Sequence, residues 1–213
     1  MKMVKTSTGI LCALILVTIS ACNFAPVDDS NPLTKSNSDD TAFSYEKQKL
    51  LELPGVTEDQ AGDVLIPLKI NEKAEATLPG ENMIIYSLNS EKSEMRDSGK
   101  IVSVCKEYKY KHAGSFATAE VTATANLNWS NGSVTINGFD QEVAGSNPYG
   151  KIVISNNENT LLKQTGDSAI AEASGNIEFS FTDAKNFSEL VAYRFQIIAD
   201  ATSSQSAIIK VIH

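Results

Sequence analysis

The sequence predicts an all-β protein, an antiparallel β-sandwich or open barrel of about 8–10 strands. Three observations predict it. From Ala117 to Trp129 apolar residues alternate with polar ones: Ala117, Ala119, Val121, Ala123, Ala125, Leu127 and Trp129 against Thr118, Glu120, Thr122, Thr124, Asn126 and Asn128. A period of two over that distance is a strand buried on one face. Asn131-Gly132 follows at once, the dipeptide best suited to a tight type I′ hairpin. With those two residues as the loop, Ser130 faces Ser133, Trp129 faces Val134 and Leu127 faces Ile136, so the apolar residues of both strands share one face. The alternation then returns at Ala169, Ala171, Ala173, Ile177, Phe179 and Phe181, and again at Val191, Tyr193, Phe195 and Ile197.

In chain order, residues 1–21 have the parts of an export signal. Lys2 and Lys5 give a positive start, Ile10 to Ile19 an apolar middle, and Ser20 and Ala21 are small residues before Cys22. The apolar run is too short for a comfortable membrane span, which needs about 20 residues. Ile19-Ser20-Ala21-Cys22 resembles the bacterial lipobox, an aliphatic residue, two small ones and a cysteine, and matches it at all four positions. The resemblance covers residues 1–22 only. It implies cleavage between Ala21 and Cys22, a diacylglyceryl group on Cys22 and, as is usual in that family, acylation of the new N-terminus. The alternative is an ordinary secretory signal cut near Ala21, with Cys22 left as a thiol. Each buried CH₂ of a lipid chain contributes about 0.8 kcal/mol, so two or three chains give a lasting anchor. The resemblance thus implies a protein lipid-anchored in the bacterial cell envelope. Asn23, where inner-membrane lipoproteins often have aspartate, favours the outer membrane if the host is Gram-negative.

Residues 22–44 read as a tether. Pro26, Pro32, the pairs Asp28-Asp29 and Asp39-Asp40 and the polar run Thr34 to Ser38 leave little to bury. The remainder, 45–213, reads as one domain, opening with a short helix over 45–53 that Pro54-Gly55 stops. Val64–Ile66 and Leu68–Ile70 flank Pro67, which marks an edge strand or a bulge. Met83 to Leu88 is the next strand, Glu91 to Lys100 an exposed loop, and Ile101 to Tyr110 a further strand. Beyond the hairpin, Asn147-Pro148-Tyr149-Gly150 is a turn, and Lys151 to Ser155 is a short strand ended by Asn156-Asn157-Glu158-Asn159. Ala207 to Ile212 closes the chain. The Thr- and Ala-rich strands are similar in composition to β-sandwich modules of uncharacterised secreted bacterial proteins, a likeness that transfers no sites.

Charge and cysteine content exclude several functions. The chain carries 18 basic and 26 acidic residues, a net charge of −8. Losing Lys2 and Lys5 with the signal leaves a balance near −10. That argues against a nucleic-acid partner and against electrostatic binding to an anionic lipid surface, so lipid on Cys22 is the expected membrane contact. Cys12 lies in the signal and Cys22 is the acylation site, so Cys105 remains alone and no disulfide is expected. Within Ile101-Val102-Ser103-Val104-Cys105 it reads as a small core residue. Trp129, in phase with Leu127 and Val121, reads as core rather than as a sugar-stacking platform.

Catalytic signals are absent. Two histidines, His112 and His213, cannot supply a metal cluster or a histidine triad, no Gly-rich phosphate loop or calcium-loop spacing occurs, and no cofactor is called for. The one local departure from the acidic background is Lys106-Glu107-Tyr108-Lys109-Tyr110-Lys111-His112. Basic residues interleaved with aromatics make Lys106, Tyr108, Lys109, Tyr110 and Lys111 binding candidates for an anionic polysaccharide or an acidic protein patch. The competing reading is an amphipathic edge strand whose lysines discourage aggregation. The sequence therefore points to an envelope lipoprotein with a non-catalytic β-sandwich that binds an envelope protein or polysaccharide, or plays a structural part. The alternative is an envelope hydrolase whose carboxylates gather from distant strands.

Overall fold

The computed structural model describes residues 38–91, 100–112, 115–182 and 187–212. The signal, Cys22, the tether to residue 37, most of the 91–100 loop and His213 lie outside the described residues. The described chain is an all-β sandwich of two antiparallel sheets, one of them curled into a half-barrel. It begins with helix α1 (Ser38–Leu51), followed by β1 (Thr57–Glu58), β2 (Val64–Lys69), β3 (Lys73–Thr77), β4 (Met83–Glu91), β5 (Lys100–His112) and β6 (Ser115–Ser130). Next come β7 (Ser133–Ser146), β8 (Gly150–Lys163), β9 (Thr165–Gly166), β10 (Ser168–Phe181), β11 (Phe187–Asp200) and β12 (Ser206–Val211). The first sheet runs β1-β2-β12-β11-β10-β8 and the second β3-β4-β5-β6-β7-β9. Ten of the described strands have five or more residues.

The hairpin forms in the register its sequence dictates: Ser130 opposite Ser133, Trp129 opposite Val134 and Leu127 opposite Ile136. Asn131 and Gly132 sit at φ 50° and 74°, as a type I′ turn requires. One residue later the ladder slips between Asn126 and Leu127, so that Asn126 faces Gly138 and Asn137 is the extra residue.

The inward alanines of β6 and β10 are fully buried and leave room for larger residues from both sheets. Rings meet across the interface. Tyr86 of β4 stands edge-on to Phe195 of β11 at 6.4 Å, and Tyr110 of β5 lies 5.1 Å from Phe179 of β10. Each fully buried ring of this kind contributes about 1.5–3 kcal/mol. Trp129 is partly buried against this core, and its indole Nε1 donates to the Asp200 carbonyl at 2.8 Å. Pro67 lies inside β2 opposite Ile208. Ile70 N donates towards β12, so by alternation the missing Pro67 N–H faces away from it, beyond the two residues covered by β1.

Four expectations need correction. The helix starts at Ser38, inside the stretch read as tether, because Glu46 and Leu50 are buried against the sandwich and Lys47 bonds Glu58 and the Gly62 carbonyl, both at 2.7 Å. Such tertiary contacts stabilise a helix that composition alone does not announce. β8 does not end at Ser155 but runs on to Lys163, because the asparagine cluster is a bulge. Asn156, at φ 55°, and Asn157 together face the single Gly175 of β10. β5 is an inner strand between β4 and β6 and not an edge. Cys105 points away from the core, half-buried between Ser87 and Thr122 on the outer face of the second sheet. Val102 and Val104 take the inward phase of that strand.

Candidate functional site

β5 splits the basic aromatic segment between its two faces, as period two demands. Lys106, Tyr108 and Tyr110 point inward, whereas Glu107, Lys109 and Lys111 point outward. Lys106 and Tyr108 are each 2 % exposed and out of reach of any polymer. On the outer face Lys109 pairs with Glu107 at 3.2 Å and Lys111 pairs with Glu81. The five candidates therefore never form one basic patch.

The inward group meets α1. Glu46 sits 3.4 Å from the Lys106 ammonium and accepts hydrogen bonds from the hydroxyls of Tyr86 at 3.2 Å and Tyr108 at 2.5 Å. The ammonium also lies over both rings, 5.2 Å from the centroid of Tyr86 and 4.6 Å from that of Tyr108. Burial pulls the Lys106 pKa down, and the Glu46 charge opposes that pull. Burial likewise pushes both tyrosines well above their ordinary range, with Glu46 adding to the push. Every polar atom here serves to hold α1 in the sandwich wall. Sequence spacing could not reveal the cluster, because Glu46 stands sixty residues from Lys106. The phase of Lys106 with Val102 and Val104 was the one local signal of its burial.

The remaining buried carboxylates among the described residues are held by cations in the same way. Asp63 faces Lys210 at 2.9 Å, and Glu172 accepts from Arg194 and from Gln196, both at 2.8 Å. Cys105, beside Glu120, has its thiol pushed up to about 11, chiefly by burial, which keeps it protonated at neutral pH. Among the described residues no group of three or more His, Cys, Asp or Glu gathers to hold a metal, and no helix is long and apolar enough to cross a membrane.

A concave feature lies on the outer face of the second sheet, over the β-bulge. It is an open hollow of about 240 Å³ lined by Ile101, Thr124, Asn126, Gly138, Phe139 and Asp140. The register explains it. Ile101, Asn126 and Gly138 form one row across β5, β6 and β7, and Gly138 contributes no side chain, with open space where a Cβ would stand. In the neighbouring row Thr124 faces Asp140, and the Thr124 hydroxyl lies 3.1 Å from that of Ser103. Asp140 Oδ1 accepts from the Gln141 amide at 2.9 Å and from Asn159 Nδ2 at 3.2 Å, which fixes the carboxylate at the rim. The Oδ1 atoms of Asn126, which lines the hollow, and of Asn128, which does not, are closed off from solvent and accept no hydrogen bond. The lining thus exposes the oxygens of Asp140 and Thr124 beside Ile101, whereas Phe139, opposite the inward Ala125, packs towards the core. Among these lining residues no acid and base come together for proton transfer. The alternation from Thr118 to Asn128 had marked Asn126 and Asn128 as outward polar residues, while the bulge that opens the hollow left no trace in the pattern. No family model, curated protein or solved structure matches the chain.

Proposed function

We propose that the chain is an envelope lipoprotein, anchored through lipid on Cys22, whose β-sandwich is a non-catalytic module that binds another envelope component. The location rests on Ile19-Ser20-Ala21-Cys22 and the apolar segment before it. The observation that carries binding over catalysis is the state of the buried carboxylates. Glu46, Asp63 and Glu172 are each paired with a cation, Lys106, Lys210 (which Asp59 shares) and Arg194, and are committed to the architecture. The surface hollow, by contrast, is lined by a single carboxylate, Asp140, and no second titratable group. A scaffold of two packed sheets whose buried charges are committed to its fold suits display and recognition.

The anchor is tested by replacing Cys22 with Ser and following membrane fractionation together with metabolic fatty-acid labelling. The proposal expects label and membrane association to vanish together. Retention of both in the variant contradicts it.

A further inference from the structure

We propose that β8 is an interface strand, along which a second copy of this chain pairs antiparallel with the first. This goes beyond the binding-module reading and does not rest on it. β8 is the last strand of the first sheet, and no described strand pairs with its other side. β7 meets it through side chains, such as Gln141 on the Glu158 carbonyl at 2.9 Å. Four of the large apolar side chains left exposed among the described residues stand on this one strand, Val153, Ile154, Leu161 and Leu162, between 38 and 51 % exposed. Leu190 of β11 shares the row of Val153 through Glu178 and is exposed too. A long edge strand with exposed apolar residues is a template for pairing, and such a cluster marks an interaction surface.

The spacing of these residues selects a second copy as the occupant. Two identical strands paired about a two-fold axis normal to the sheet face each other in reciprocal pairs, and the members of each pair lie on the same face. The bulge at Asn156-Asn157 shifts the alternation of β8 by one residue. Ile154, opposite Ile177, and Leu161, opposite Ala171, therefore share the inner face. Ser155 and Thr160, opposite Asn176 and Glu172, share the outer one. An axis between Asn157 and Glu158 then sets Ile154 against Leu161, Ser155 against Thr160 and Val153 against Leu162, the extra residue after Leu161. Each of the four exposed apolar residues meets another, which is the self-complementarity an isologous interface requires. Charge agrees with this register. Lys151 and Lys163 fall opposite Gln164 and Ile152, and Glu158 falls opposite Asn157, so no like charges face each other across the seam. Without the bulge the axis would pass through Asn157 and set Lys151 against Lys163. Lysines and bulges ordinarily guard an edge. Here the lysines stand at its two ends, and the bulge brings the apolar residues into phase.

The test is sedimentation equilibrium of the purified full chain and of two variants at exposed positions of β8. The proposal expects a reversible monomer–dimer equilibrium with a Kd below about 1 mM, the range of weak specific association. Val153→Lys/Leu162→Lys sets like charges opposite each other at both ends of the seam and should weaken dimerisation at least about tenfold. Val153→Glu/Leu162→Lys sets unlike charges at the same two places and should recover most of that loss, which a contact elsewhere on the chain would not do. A chain that stays monomeric at about 1 mM overturns the proposal. So does a dimer that survives the lysine pair, or a loss that the glutamate and lysine pair does not reverse. None of these results depends on lipid at Cys22, so failure here leaves the anchor to its own test.

Discussion

Lys106 and Glu46 occupy a core that would ordinarily exclude both, and each is there because the other is. Removing one partner leaves an unpaired buried charge, which costs about 3–5 kcal/mol, whereas replacing both with apolar residues of similar volume is often close to neutral. Glu46→Ala should therefore lower unfolding free energy by about 3–5 kcal/mol in urea titrations, and Glu46→Leu/Lys106→Met together should cost less than Glu46→Ala alone. A double variant that costs as much as the Glu46→Leu and Lys106→Met single variants added together would show that the pair does not interact. The same core sets the response to alkali. Burial pushes the Cys105 thiol up to about 11 from an ordinary 9.0, and the Tyr193 hydroxyl up to about 12 from 10.0. A raised folded pKa means that the contribution is complete below the ordinary value and is lost as pH rises through the folded one. Lys106, lowered by burial, has the opposite sign, but it stands alone against Cys105 and the buried tyrosines Tyr86, Tyr108, Tyr110 and Tyr193. Urea midpoints should accordingly fall from about pH 9 upwards, and Cys105→Ser should remove the first part of that fall. A flat profile to pH 11 would contradict the burial of these groups. At this scale the sequence revealed which residues of β5 share a face, because period two is local. It did not reveal the partner of Lys106, because Glu46 reaches it from a helix before the sheet.

Elements joined by tight turns were legible and elements joined across the sheet were not. Asn131-Gly132 determines its own hairpin, since both strands and the turn lie in one continuous stretch and the register follows from apolar pairing. β8 was misjudged because its partner, β10, pairs with it around a bulge that only three-dimensional packing explains. Gly175 is the hinge of that arrangement. A Cβ there would fall on the Tyr193 hydroxyl and Asn157 Oδ1, the groups that close the gap opposite Asn156-Asn157. Gln141 of β7 completes the junction, accepting from Tyr193 at 3.1 Å and donating to the carbonyls of Glu158 at 2.9 Å and Ser174 at 3.2 Å, which ties the second sheet to the first. Gly175→Ala should thus destabilise the protein by about 1–3 kcal/mol through overpacking. Adding Tyr193→Phe, which deletes the clashing oxygen, should recover part of the loss. Thermal melts of the two variants decide the matter, and a Gly175→Ala melt equal to wild type would remove the packing account. Pro67 behaved as its chemistry requires, tolerated in β2 because its missing donor faces away from β12.

At the scale of the whole chain, α1 is the first described element of the folded body. Glu46, Leu50 and Lys47 hold α1 to the sandwich. The all-β class was readable from alternation and turn residues, whereas the order of the strands depended on pairings such as β2 with β12, more than a hundred residues apart. Address and body are thus read from different parts of the chain, the first from a short motif and the second from long-range packing. The most direct measurement of the central claim, that lipid on Cys22 carries this body, is the mass of the N-terminal peptide of the protein extracted from membranes. The account predicts a peptide beginning at Cys22 with the added mass of a diacylglyceryl group. An unmodified Cys22, or a mature chain that begins elsewhere, would contradict it.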